Sequence, residues 1–266
     1  MTSSSQEIGA RIFQYEKPDL SQIARKRKTV WLGTTERLFA TIQAHREGGE
    51  VTLHSHTHLD GFWFVLAGRV RFYDDETTVC ADLGPMEGVL IPRGEKYWFE
   101  VYGPDDLEIF QIECSDREMT KDEARAERGV LLRTPSRICS FSGSLGPAKG
   151  TKWLAHTDRL FAAIERLLPG ESAAYAGRHE TLDSVWYVIE GELEVRTGTG
   201  QGKRIGSGQG VLSRHGELLQ LSATEDPVVL LQVFCSNFAI PEFLEFQNAL
   251  VGFGGLSDWT KLAAPN

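Results

Sequence analysis

TVWLGTTERLFATI, Thr29 to Ile42, returns as TKWLAHTDRLFAAI, Thr151 to Ile164, a spacing of 122 residues with nine identities in fourteen positions. The echo continues in register. LDGFWFVLAG from Leu59 is answered by LDSVWYVIEG from Leu182, GVL at Gly88 by GVL at Gly210, and QIECS at Gln111 by QVFCS at Gln232. Two copies of one module are the first constraint on the fold. Residues shared by the copies hold the architecture, and histidines found in one copy alone carry any chemistry particular to it.

Within copy one, VTLHSHTH, GFWFVLA, RVRFYDD, GVLIPRG, YWFEVYG and LEIFQIE follow one another between glycine-bearing turns. Runs this short, rich in β-branched and aromatic residues, predict an all-β sandwich or barrel in each copy. Helical signals lie outside these runs. TKDEARAER carries a capping box, Thr120 with Glu123, and predicts a short surface helix. PEFLEFQNAL opens on Pro241, stops at Gly252 and predicts a second. The chain divides into an arm (1–28), a first barrel (29–130), a linker (131–150), a second barrel (151–250) and a tail (251–266). IFQYEKPDL in the arm supplies apolar and aromatic groups, which predicts that the arm covers a barrel edge.

At 266 residues and 41% hydrophobic, the chain holds enough apolar material for two cores. A net charge of -9 argues against nucleic acid or an anionic membrane as partner. RKRK, Arg25 to Lys28, reads as a solvated run ahead of a strand. The N-terminus has no apolar signal core and no stretch approaches the length of a spanning helix, so the expected location is cytoplasmic. Four cysteines without C-x-x-C spacing indicate neither a zinc knuckle nor a redox pair. The matched Cys114 and Cys235 read as buried structural thiols.

The run G-x5-HSH from Gly48 to His56, then THLD, then FWFVLAG ending at Gly68, then GVLIPRG from Gly88, resembles the two signature motifs of the cupin superfamily. The duplication resembles a bicupin of the quercetin 2,3-dioxygenase-like branch. The resemblance implies two tandem double-stranded β-helix, or jelly-roll, barrels, each followed here by a short helix. It also implies a metal held by two histidines and a glutamate of the first motif and a histidine of the second. Mapped onto this chain, His54 and His56 match the histidine pair, Gly61 stands at the glutamate and Tyr97 at the last histidine. Copy two has Gly177, His179, Ser184 and Leu219 at these places, so no metal is expected there.

On one strand face, His54 and His56 are candidate ligands for iron, nickel, zinc or copper. His56 and Tyr97 are candidate acid and base groups. Trp63, Val65 and Phe99, with His58, are candidates for contacting substrate in an apolar, aromatic cavity. Asp60, repeated as Asp183, reads as a turn residue, and Arg93 as solvated. The leading expectation is an enzyme acting on a small aromatic or polyketide-like metabolite, oxygenase-type, with a divalent metal in the first barrel. The alternatives are a metal-independent cyclase or isomerase using histidine and tyrosine, a bicupin that binds a small molecule without turnover, and a structural partner subunit. Monomer and homodimer are both compatible with a fused pair of barrels.

Overall fold

The computed structural model describes residues 10–127, 129, 137–198 and 200–240; the helix expected at 241–250 and the tail lie outside the described residues. Regular structure is almost entirely antiparallel strand, with one α-helix, Lys121–Ala126, among the described residues. In the first module a six-stranded sheet containing Leu38–His45, Leu59–Ala67 and Leu107–Ser115 faces a four-stranded sheet of Gly49–His54, Val70–Tyr73, Val79–Leu83 and Tyr97–Val101. The second module repeats the plan, with a six-stranded sheet containing Leu160–Leu167, Asp183–Glu190 and Val228–Cys235 opposite a three-stranded one.

The central strands explain why FWFVLA shows no polar alternation. Trp63 and Val65 point into the first barrel with Phe72, Tyr97 and Phe99. Phe62 and Phe64 point the other way, into a core shared with Leu160, Ile164, Val185, Leu231 and Val233 of the second module. Successive side chains therefore enter two different apolar cores, and the two six-stranded sheets pack back to back. Each large side chain so buried contributes about 1.5–3 kcal/mol. Cys114 and Cys235 are free thiols in this shared core, and burial pushes the Cys235 thiol up.

The arm and the linker are exchanged between modules. Arg11–Gln14 pairs with Gln209–Ser213 of the second module, and Cys139–Ser142 pairs with Glu87–Ile91 of the first. Phe13 lies opposite Gly210, and Phe141 opposite Gly88. A Cβ added to Gly88 would fall 2.5 Å from the Phe141 ring and 2.3 Å from the Trp63 carbonyl oxygen; at Gly210 the distances are 2.4 Å to Phe13 and 2.3 Å to the Trp186 carbonyl. The repeated GVL thus has a glycine where a neighbouring strand's carbonyl and a phenyl ring occupy the space of a side chain. Gly88→Ala and Gly210→Ala are each expected to lower stability by about 1–3 kcal/mol through overpacking. Chemical denaturation checks this, and an unchanged midpoint contradicts it.

The seam between modules corrects two expectations. Asp60 lies in the strand Leu59–Ala67, buried, not in a turn. Its Oδ1 accepts the Arg93 backbone N–H at 2.8 Å; its Oδ2 accepts from Arg93 Nη1 and from Thr157 Oγ1, both at 2.7 Å. Arg93 is half-buried, not solvated, and also reaches Asp158 at 2.8 Å. The cause is the second module stacked over this end of the sheet: a carboxylate taken out of water needs a charge partner. Burial pushes the Asp60 carboxyl up against the pull of Arg93. In copy two, Asp183 Oδ1 accepts from His215 N and Nδ1, both at 2.8 Å, so the repeated Leu-Asp pins the equivalent backbone amide in each module.

Candidate functional site

His54 and His56 are brought together by a bulge and a strand end. Glu50 pairs with Phe99 and His54 with Tyr97, so the residues between Glu50 and His54 outnumber those opposite and the strand bulges. The strand stops at His54, and His56 and His58 lie in the irregular chain beyond it instead of continuing the strand face. The His54 ring centroid lies 5.1 Å from His56 and 4.5 Å from Tyr97.

Each imidazole is oriented through Nδ1. His54 Nδ1 donates to the Thr52 carbonyl oxygen at 2.8 Å, and His56 Nδ1 to Glu127 Oε2 at 2.8 Å. These acceptors assign the tautomer of both rings and leave each Nε2 as the basic nitrogen. Tyr97 donates its hydroxyl to His56 Nε2 at 3.3 Å. His54 Nε2 is buried without a hydrogen-bond partner, 3.6 Å from Glu50 Oε1. Glu127 follows directly on the helix Lys121–Ala126, which starts with the expected capping box, and its Oε1 accepts the Thr57 N–H at 2.8 Å.

A cleft of about 160 Å³ opens beside these groups, lined by His56, Tyr97 and Glu50 and, from the six-stranded sheet, by Gln43, Gln111 and Glu113. The sheet side chains form a directed row. His45 Nε2 donates to Gln43 Oε1 at 2.9 Å, Gln43 Nε2 to Gln111 Oε1 at 2.7 Å, and Gln111 Nε2 to Glu113 Oε1 at 2.9 Å. Burial, aided by the Arg27 charge, pushes the His45 imidazole down to about 4, so it stays neutral at pH 7 and donates into the row.

The cleft is therefore polar, which corrects the expected aromatic cavity. Trp63, Val65 and Phe99 fill the barrel interior and do not line it. A Cβ on Gly61 would sit 3.0 Å from Trp63 Nε1, so the indole crowds the place from which a glutamate at this position would project. His58 is turned to the seam, where its Nδ1 bonds Asp116 Oδ1 at 2.9 Å.

The second barrel is closed at the same place. Phe234 replaces Glu113, each opposite the matching phenylalanine of its module, Phe161 and Phe39. Trp153 packs on Phe161 with centroids 4.0 Å apart, and His179 lies 5.2 Å from Phe234. His179 Nε2 donates to the Tyr175 carbonyl oxygen at 2.8 Å, and burial pushes its imidazole down.

No family model matches the sequence, and no curated protein matches it. Solved structures do. AerE from Microcystis aeruginosa matches with a TM-score of 0.60 over 84% of this chain and 98% of its own, at 10% identity. The Cupin 2 conserved barrel domain protein from Leptotrichia buccalis matches with a TM-score of 0.53, 12% identity and coverage of 79% of this chain and 89% of its own. The fold is that of the cupins. Salicylate 1,2-dioxygenase from Pseudoaminobacter salicylatoxidans, in a structure of its adducts with gentisate, matches with a TM-score of 0.61, 14% identity and coverage of 91% and 83%. At these identities the likeness fixes the cupin architecture and leaves the chemistry to the residues of this chain.

Those residues do not fit the metal centre that the cupin motifs imply. Among the described residues no group of three or more histidine, cysteine, aspartate or glutamate side chains is placed to hold a metal ion. His54 and His56 remain from the usual set, with the Tyr97 phenol as their neighbour. The groups that sequence reasoning missed are Glu50, Gln43, Gln111, Glu113 and Glu127. A signal for the glutamines existed: Thr41, Gln43 and His45, and likewise Gln111 and Glu113, are polar at every second position, on one face of their strands.

Proposed function

We propose that this bicupin is a small-molecule enzyme whose N-terminal barrel moves a proton on a polar substrate, an isomerase or cyclase without a resident metal. The observation that carries the reading is the chain Glu127–His56–Tyr97 at the wall of a polar cleft. His56 Nε2 takes a proton from an acidic C–H, and the resulting imidazolium is stabilised by the Glu127 carboxylate across the Nδ1 bond. The Tyr97 hydroxyl, no longer accepted by that nitrogen, donates to the substrate oxygen that gains the charge. Returning the proton from Nε2 to a second carbon completes an isomerisation; attack of the enolate carbon on a second carbonyl breaks its C=O π bond, and passing the Nε2 proton to the alkoxide so formed completes a cyclisation.

The oxygenase reading has less support, because two imidazoles are half of the ligand set it needs. The test is deuterium uptake into hydroxyacetone, a probe small enough for the cleft, followed by proton NMR in D2O. Wild-type protein is expected to accelerate exchange equally with and without a chelator, and Tyr97→Phe to slow it by about 10–100-fold. A rate lost to the chelator would favour the oxygenase-type metal site; a rate equal to buffer alone would favour binding without turnover.

A further inference from the structure

We propose that the ligand of the N-terminal cleft is held through a protonated amine, bound between Glu50 and His54. The inference rests on this cleft being the working site, and not on proton transfer by His56.

Two acceptors face each other here with nothing donating between them. His54 Nδ1 is committed to the Thr52 carbonyl, so the buried Nε2 presents a lone pair, and it has no hydrogen-bond partner. The nearest carboxylate oxygen, Glu50 Oε1, is 3.6 Å away, beyond hydrogen-bond range, and Glu50 lines the cleft. An unmet buried acceptor is unfavourable, and a donor brought by a ligand relieves it. The strand bulges between Glu50 and His54, and their acceptor atoms lie 3.6 Å apart, close enough for one ammonium nitrogen to reach both.

Donor count and charge select the chemistry. A hydroxyl has one proton and serves one acceptor, whereas an ammonium has three and serves both. Glu113, at the end of the glutamine row, adds a second carboxylate to the lining, against one described cation, Arg125. A carboxylate ligand meets like charge, and an ammonium meets opposite charge. In the second barrel Ala173 and Gly177 stand at the places of Glu50 and His54, so this pair belongs to the first barrel alone.

The experiment titrates the full-length protein with ethanolammonium, and with glycolate and ethylene glycol as probes of matched size, following the ring nitrogen shifts of His54 by NMR. Ethanolammonium is expected to move the His54 Nε2 signal saturably, with glycolate and ethylene glycol binding more weakly. Glu50→Gln is expected to weaken ethanolammonium by about tenfold or more. Glycolate or ethylene glycol binding as tightly as ethanolammonium, Glu50→Gln binding it unchanged, or zinc chloride occupying His54 while the amine does not, would each overturn the proposal. Amine binding without hydroxyacetone exchange would remove the role given to His56 and leave this inference standing.

Discussion

Arg93→Leu is expected to destabilise the protein by about 3–5 kcal/mol, because it leaves a buried carboxylate without its countercharge. Asp60 is 1% exposed and keeps only the Arg93 backbone N–H and the Thr157 hydroxyl once the guanidinium is gone. The same substitution removes both Arg93 bonds to Asp158, which keeps Arg159 at 3.6 Å, so one arginine is lost to both modules at once. Asp60→Asn in the Arg93→Leu background is expected to recover part of the loss, since the amide carries no charge to strand. Denaturant unfolding of the two variants and the wild type measures both effects. A loss below about 1 kcal/mol for Arg93→Leu would show that the pair behaves as a surface ion pair.

Glu127→Gln is expected to reduce hydroxyacetone exchange by about 100–10,000-fold with little loss of stability. The carboxylate accepts two hydrogen bonds, from His56 Nδ1 and from Thr57 N, both at 2.8 Å. An amide has one oxygen. If it keeps Thr57, its NH2 group faces His56 and drives the imidazole into the tautomer with Nε2 protonated, which cannot act as a base. If it keeps His56, it leaves the Thr57 N–H unmet and offers no charge to the imidazolium. Glu127→Asp retains the charge on a shorter arm and is expected to lose less. Equal rates for Glu127→Gln and wild type would show that Glu127 does not set the chemistry of His56.

The fold was legible because its signals are local and doubled. The strand spacing and the capping box at Thr120 each concern residues close in sequence, the repeat writes the strand pattern twice, and the structure contains them. His54, His56 and Tyr97 were legible through motif positions, and they do converge. What escaped depends on distance along the chain. Glu127 meets His56 across 71 positions, and no spacing rule links a residue after a helix to one after a strand. Asp60 and Arg93 were misread because the seam formed by the second module decides whether they see water. Trp63 and Phe99 faced the interior as the strand period requires, but a period tells which face a side chain occupies and not whether that face is filled.

The most direct measurement of the central claim compares hydroxyacetone exchange in His56→Ala and His179→Ala, matched histidines of the two barrels. His56→Ala is expected to slow exchange by at least about 100-fold while His179→Ala keeps the wild-type rate. Equal losses in the two variants, or wild-type exchange in His56→Ala, would contradict it.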